Sequence, residues 1–296
     1  MHGSRSAAAV LLVLAGSMAH GEAPAEPPSL PLLLERLDRV AGLYRSGSLD
    51  FTCVESIEVD RKRRGKYDYI YKVTDGHLED RHIPRALGKR SQLLRTPKGV
   101  PDGIARPSLW TGLFYEVRRP YVRFGITGHE VVLGRSTIRV TFEPTPGKSI
   151  VKDVNDWIGT AWVDAETFQV VKVVARDAAR QADYLELLDR HKREVRRYEE
   201  ALAVLRKGDP KPRKPQSLTF EMTTYSSWFG LVKNGMRFPT EVRSERRRYL
   251  LPDEEIDDPG AGHRIFMVIQ KFDKYRFFSV RSEEQVTGVV FGEGTE

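Results

Sequence analysis

Between Gly159 and Asp177 the chain reads GTAWVDAETFQVVKVVARD, which places two carboxylates, Asp164 and Glu166, in one short segment. A carboxylate pair can do acid–base or glycosidic chemistry when the two groups face each other across a substrate. Here they sit two residues apart, and four valines lie within Val170–Val174 just beyond them. That pattern reads as a hairpin whose acidic DAET segment is a solvated turn. His77 and His82 enclose acidic residues, but a zinc-protease helix needs its histidines four apart on one face. These two are five apart in an extended region and would point to opposite sides. Asp253–Gly260 (DEEIDDPG) gathers carboxylates without the alternating ligand spacing of a calcium loop, and reads as a solvated connection. Cys53, the only cysteine, lies in the alternating run DFTCVESIEV, where it reads as a small core residue with no histidine nearby to activate it. The chain holds no Gly-x-Ser-x-Gly elbow, phosphate-cradling glycine loop or paired CxxC half-sites. No residue is assigned a catalytic or metal-binding role, no cofactor is implied, and the chain reads as a non-enzyme.

The elements that would position these residues are mainly strands. Ser29–Gly47 has apolar residues at Leu33, Leu37, Val40, Ala41 and Tyr44 opposite Arg36, Asp38 and Arg39, the stripe of an amphipathic helix with Ser29 as its cap. The period then changes to two. Phe51, Cys53, Glu55, Ile57 and Val59 share one face, and Tyr67, Tyr69, Tyr71 and Val73 follow beyond a basic turn around Gly65. The proline-rich stretch 72–106 reads as loops, with a short strand at Gln92–Thr96. Further strands are expected at Phe114–Phe124, Glu130–Leu133, Thr137–Glu143, Thr160–Asp164, Gln169–Arg176, Ser217–Tyr225, Met236–Tyr249 and Arg264–Val280. With no helices between most of them they make a meandering antiparallel sheet, not a βαβ fold. The exception is 178–206, a charged helix with a seam of Leu185, Leu188, Val195, Leu202 and Leu205 that breaks at GDPKPRKP.

Composition places the chain among globular proteins: 296 residues, 40% hydrophobic and 30% charged. MHGSRSAAAVLLVLAGSMAHGEA has one cation, a short apolar run and small residues, the layout of a cleaved export signal. Leu14-Ala15-Gly16-Ser17 resembles a lipoprotein cleavage box with serine where the acylated cysteine would stand, so the expected product is periplasmic or secreted, soluble and unanchored. The expected organisation is a signal at 1–21, a leader at 22–29, one domain over 30–285 with a helical insertion at 178–214, and a tail at 286–296. Net charge is +7, or +6 without the leader's Arg5. The excess lies in runs at 61–66, 190–197, 207–214 and 243–248, which read as solvated faces open to anionic headgroups or an acidic protein partner. They lack the interleaved aromatics of a single-strand binder, so nucleic acid is not an expected partner.

The later strands carry more apolar surface than one packed face needs. Arg264–Val280 is apolar on both faces in places, and a sheet apolar on both sides must be covered on both. This points to an apolar cavity for an acyl chain or hydrophobic peptide, lined by Trp162, Val171, Phe220, Met222, Phe238, Val242, Phe266 and Phe272.

The order of export signal, helix LLLERLDRVAGLY and strand DFTCVESIEV, with the hairpin GTAWVDAETFQVVKVVARD, resembles the periplasmic lipoprotein carriers of the LolA/LolB type. The resemblance implies an incomplete antiparallel β-barrel lidded by helices, here the N-terminal and the inserted one. It also implies a cavity for lipoprotein acyl chains. The regulator RseB has a similar fold, which keeps open an interaction or sensor module using the helical arm and basic surface. Tyr115–Tyr121 (YEVRRPY) is similar to the carriers' Arg-Pro strand, which would make Arg119 a lid-closing residue, although it stands later in the chain. Residues 178–214 have no counterpart in the carriers.

Overall fold

In the computed structural model the described residues are 28–45, 51–74, 77–85, 107–148, 156–207, 209–251, 256 and 261–278. The export signal, most of the leader, Gln92–Thr96, the C-terminal tail and all of the acidic loop except Ile256 lie outside them.

One antiparallel sheet of ten strands dominates. Its strands are β1 (Phe51–Val59), β2 (Lys62–Thr74), β3 (His77–Pro84), β4 (Val122–Val132), β5 (Arg135–Pro144), β6 (Trp157–Asp164), β7 (Val170–Asp177), β8 (Leu218–Trp228), β11 (Glu241–Leu251) and β12 (His263–Phe277). A separate two-stranded ribbon joins β9 (Leu231–Lys233) to β10 (Met236–Phe238). In the large sheet the order is β3-β2-β1-β12-β11-β8-β7-β6-β5-β4, so β3 and β4 are its two edges and it does not close. β12 pairs with β1 through Val59↔Val268, so the first and last strands lie side by side, third and fourth from the β3 edge. Helix α1 (Leu30–Arg45) and helix α2 (Ala178–Ala203) complete the fold. It is a mainly β protein built as an open half-barrel.

The sheet is curved around α1. Leu33, Leu37, Val40 and Tyr44 of the helix belong to one buried cluster with Cys53, Tyr69 and Tyr71 toward one edge and Val140 and Phe142 toward the other. Strands that far apart in the sheet share a core because the helix stripe fills the hollow between them. The opposite face has its own cluster: Tyr184 of α2 with Phe220, Met222, Tyr249, Leu251 and Ile256. The period-2 alternation of β8 separates the two, with Ser227 opposite Val173 and Val242 of the inner core and Phe220 and Met222 facing out. The two helices therefore cover opposite faces; α2 braces the outside and only α1 lies in the hollow. The stripe α2 packs on the sheet runs through buried Tyr184 and His191 with half-buried Leu187 and Leu188 between them, and Leu185 and Leu202 of the expected seam are exposed. Asp177 caps this helix by accepting from the Arg180 amide at 2.9 Å. Among the described residues no helix is long and apolar enough to cross a membrane.

Four local expectations are corrected. The β1–β2 turn is at Asp60–Arg61, both with positive φ, and Gly65 instead lies within β2 beside a bulge. A Cβ on Gly65 would come 2.9 Å from the Tyr67 ring. His77–Pro84 is an edge strand paired to β2, not loop, and its proline falls at the end where no ladder donor is needed. Residues 114–121 are not strand. Two 3-10 turns, Pro107–Gly112 and Glu116–Arg118, precede β4, and Trp110, Leu113 and Phe114 enter the core at i, i+3, i+4 spacing. Finally, 236–249 is two strands, because Pro239 interrupts the ladder between β10 and β11.

Candidate functional site

The inner face is the candidate site, with α1 and the 107–121 segment lying over it. Polar contacts tie this cover to the sheet and to itself. The Tyr44 hydroxyl donates to the Arg237 carbonyl at 2.5 Å, and the Tyr71 hydroxyl donates to the Tyr44 carbonyl at 3.2 Å. The Glu116 amide donates to Asp38 at 2.8 Å, and Arg119 Nη2 donates to the Leu34 carbonyl at 2.9 Å. Arg119 thus reaches the middle of α1, from the turn before β4 where Pro120 follows it; its Nε is buried and has no acceptor among the described residues. Beneath the helix lie aromatic rings, with Phe51 stacked on Tyr71 at 4.8 Å and edge-on to Phe238 at 5.3 Å. Burial pushes the Tyr44 and Tyr275 hydroxyls above the ordinary phenol range, and pushes the Cys53 thiol up as well. All three are neutral near pH 7, and Cys53 is no nucleophile.

The turn of the β6–β7 hairpin is not solvated as a whole. Glu166 is exposed, but Asp164 is 1% exposed. Its carboxylate accepts from Arg135 Nε at 2.8 Å, from Arg237 Nη2 at 2.9 Å and from the amides of Glu166 and Thr167 at 3.0 Å each. Burial alone would raise its pKa, but the donors, Arg135 first among them, outweigh that and hold it below the usual carboxylate value. Arg237 is itself buried, its amide donating to Gln169 Oε1 at 2.6 Å while Gln169 Nε2 donates to the Gly235 carbonyl at 2.6 Å. This network locks the β9–β10 ribbon onto the hairpin turn, and through the Arg237 carbonyl it reaches Tyr44 of the cover. The Asp164 carboxylate and both arginines are paired within it, which makes it a structural clamp.

A second polar group crosses the inner face. Glu55 on β1 is fully buried, with His82 Nδ1 of β3 at 2.5 Å from Oε2, and Gln270 Nε2 of β12 donates to its Oε1 at 2.6 Å. The Tyr69 ring lies 5.1 Å from the His82 ring. The constellation staples three strands. Among the described residues no group of three or more metal-ligating side chains converges. Sequence reasoning placed Glu55 on the apolar face without a partner, because His82 comes from an edge strand read as loop.

The predicted lining residues divide. Phe238, Val242 and Phe272 lie in the inner cluster. Phe266 packs beside a smaller group of Ile57, Val59, Tyr67 and Val268. Val171 is fully buried at the bulge where Trp162 and Val163 pair with β7. Phe220 and Met222 are under α2 on the other side. Trp162 is also on the outer face, where it lines a cavity of about 310 Å³; its indole donates to Glu130 at 2.8 Å, and Lys172 Nζ lies 4.2 Å from its ring centre. These three cannot share a cavity with the inner residues. The reason is alternation: β6 and β8 put their even-numbered residues outward.

An open antiparallel sheet curled around one helix is the class the geometry defines. Solved structures similar to this chain include a DUF1329 family protein from Desulfovibrio piger, 12% identical with a TM-score of 0.40 over 88% of this chain and 98% of that one. A LolA superfamily protein from Nitrosomonas europaea is 8% identical at 0.35, over 86% and 96%. The Pseudomonas aeruginosa MucA/MucB complex matches at 13% identity and 0.25, over 84% and 99%. No family model and no curated protein matches the chain. The fold stated above rests on the chain's own sheet order and helix placement.

Proposed function

We propose that the protein is an exported, non-catalytic carrier that takes the acyl chain of a lipid or of a lipidated protein onto the inner face of its sheet, as in outer-membrane lipoprotein sorting. The observation behind this reading is the cover: an apolar inner face closed by one helix, where a sandwich would have a second sheet. Moving α1 aside exposes a trough lined by Phe238, Val242 and Phe272, and an acyl chain that replaces the helix stripe regains the lost burial at about 0.8 kcal/mol per methylene. The binding step is then an exchange of Leu33, Leu37, Val40 and Tyr44 for ligand carbons. Arg119 is the lid-closing residue in this scheme, since one hydrogen bond from its guanidinium ties the helix to the turn before β4. Basic rim residues meet the headgroup or an acidic partner. The compartment expected for this work is the periplasm.

Extraction of the purified protein with organic solvent, followed by mass spectrometry, tests the reading, together with titration by a fluorescent fatty acid. Co-purified lipid and saturable uptake are expected; a clean extract with no uptake overturns it. A second reading, an interaction or sensor module, is favoured by one feature: α2 runs 26 residues and buries only Tyr184 and His191. Under that reading, deleting residues 180–215 abolishes partner capture and leaves cooperative melting intact.

A further inference from the structure

The outer-face cavity belongs to neither reading. Its volume, about 310 Å³, is at the small end of ligand pockets. The strand register sets out its floor. Thr160, Val174, Ser226 and Arg243 form one row across β6, β7, β8 and β11, and Ile158, Arg176, Thr224 and Glu245 form the next. Val174 and Ser226 in the middle of the first row and Thr224 in the second are short, and they leave a trough between Trp162 at one end and Tyr249 and Arg247 at the other.

The cations around it are unequal. Arg247 is occupied, its Nε donating to Glu245 at 2.8 Å and its Nη1 to the Ala261 carbonyl at 2.7 Å. Arg176 donates to the Ile256 carbonyl at 3.3 Å. Arg243 is different. Its Nη2 is held by Glu241 at 2.7 Å and its guanidinium lies 5.2 Å from the Trp228 ring centre, but its Nε is buried and has no acceptor among the described residues. A buried donor on a charged group without a partner is costly and calls for an acceptor. Ser226 stands directly across from Arg243 in the β8–β11 ladder and adds a hydroxyl. Among the described residues three arginines and one carboxylate line the trough, a balance that favours an anion. An unpartnered Nε beside one hydroxyl suits a carboxylate oxygen better than a phosphate dianion, which needs more donors.

We propose that this trough binds a small organic carboxylate, its acid group on Arg243 Nε and the Ser226 hydroxyl and its aromatic or short aliphatic body along Thr160 and Val174 toward Ile158 and Trp162. The site is on the opposite face of the sheet from the acyl trough, and the two are independent.

Benzoate and its uncharged counterpart benzamide test the assignment in the full-length mature protein. The readout is the Trp162 indole N–H and nearby backbone amides in ¹⁵N–¹H spectra. Benzoate shifts these signals saturably, benzamide binds at least about tenfold more weakly, and Arg243→Gln weakens benzoate by a similar factor. Ser226→Leu, which fills the floor without removing charge, also abolishes the shifts. Palmitate added beforehand leaves the benzoate titration unchanged, so this test does not depend on the inner face. No saturable shift at tens of millimolar benzoate, equal binding of benzamide, or full benzoate binding by both variants overturns the proposal.

Discussion

Asp164→Asn is the most informative perturbation of the clamp. Asparagine keeps a carbonyl oxygen for the amides of Glu166 and Thr167 but removes the charge that Arg135 and Arg237 share. The two arginines do not lose equally. Arg135 has a side chain 39% exposed and keeps Glu166, so its part of the loss is screened to under about 1 kcal/mol. Arg237 is 6% exposed and is left as an uncompensated buried cation, the situation that costs roughly 3–5 kcal/mol. A net loss of about 3 kcal/mol follows, since Arg237 keeps its bond to the Phe229 carbonyl. With a urea slope of roughly 2 kcal/mol/M the midpoint falls by about 1.5 M at unchanged slope. Arg237→Met in the Asp164→Asn background removes the orphaned cation and recovers part of the loss, a coupling of at least about 1 kcal/mol. A single-variant loss under about 1 kcal/mol, or additive losses in the double variant, refutes the view of this turn as a buried clamp.

Other outcomes follow from the same geometry. Because the folded pKa of Asp164 lies below its unfolded value, its contribution to stability is complete above about pH 4 and is lost as pH falls through the folded value. Urea midpoints measured downward from pH 5 therefore decline in the native protein, and decline less in Asp164→Asn. Cys53 resists a thiol reagent such as Ellman's in the native state and reacts at the rate of a free thiol in denaturant; native-state reaction at that rate contradicts its burial. Gly159→Ala places a methyl 2.1 Å from the Val174 carbonyl oxygen and costs about 3 kcal/mol or more in thermal or urea unfolding. Arg119→Met removes a charged hydrogen bond to the α1 backbone, lowers stability by about 1–2 kcal/mol and speeds uptake of a fluorescent fatty acid in stopped-flow; uptake no faster than wild type argues against Arg119 as the tie on the cover.

Much of the fold was legible because local pattern and tertiary role agree. The stripe at Leu33, Leu37, Val40 and Tyr44 that marks α1 as amphipathic is the set it buries in the sheet. The alternation in β1 puts Phe51, Cys53, Glu55, Ile57 and Val59 on one face, and all five are buried. Where the reading failed, the deciding partner lies far along the chain. Arg237 reads as the outward residue of an alternating strand, but Pro239 ends that strand and Asp164, 73 positions away, holds the guanidinium inside. Asp164 reads as a turn residue for the same reason: nothing near it in sequence announces that two arginines will converge on it. Phe114–Phe124 reads as a strand, although Trp110, Leu113 and Phe114 carry helical spacing. The lining set was gathered by residue type without a common register, and so mixes both faces of the sheet.

A sheet that stays open around a helix has two free edges, and each is a surface on which another copy could add itself. Among the described residues β3 and β4 pair on one side only. β4 carries a register shift between Ile126 and Gly128, with Gly128 at positive φ, and exposes Arg123, His129 and Glu130 along its length. β3 ends in Pro84 with Arg81 exposed. Bulges, charges and a terminal proline are the means by which an edge is kept from templating a fibril. The openness that leaves room for α1 thus comes with its own guard against filament growth, and straightening β4 at Gly128 would be the shortest route to a self-associating form.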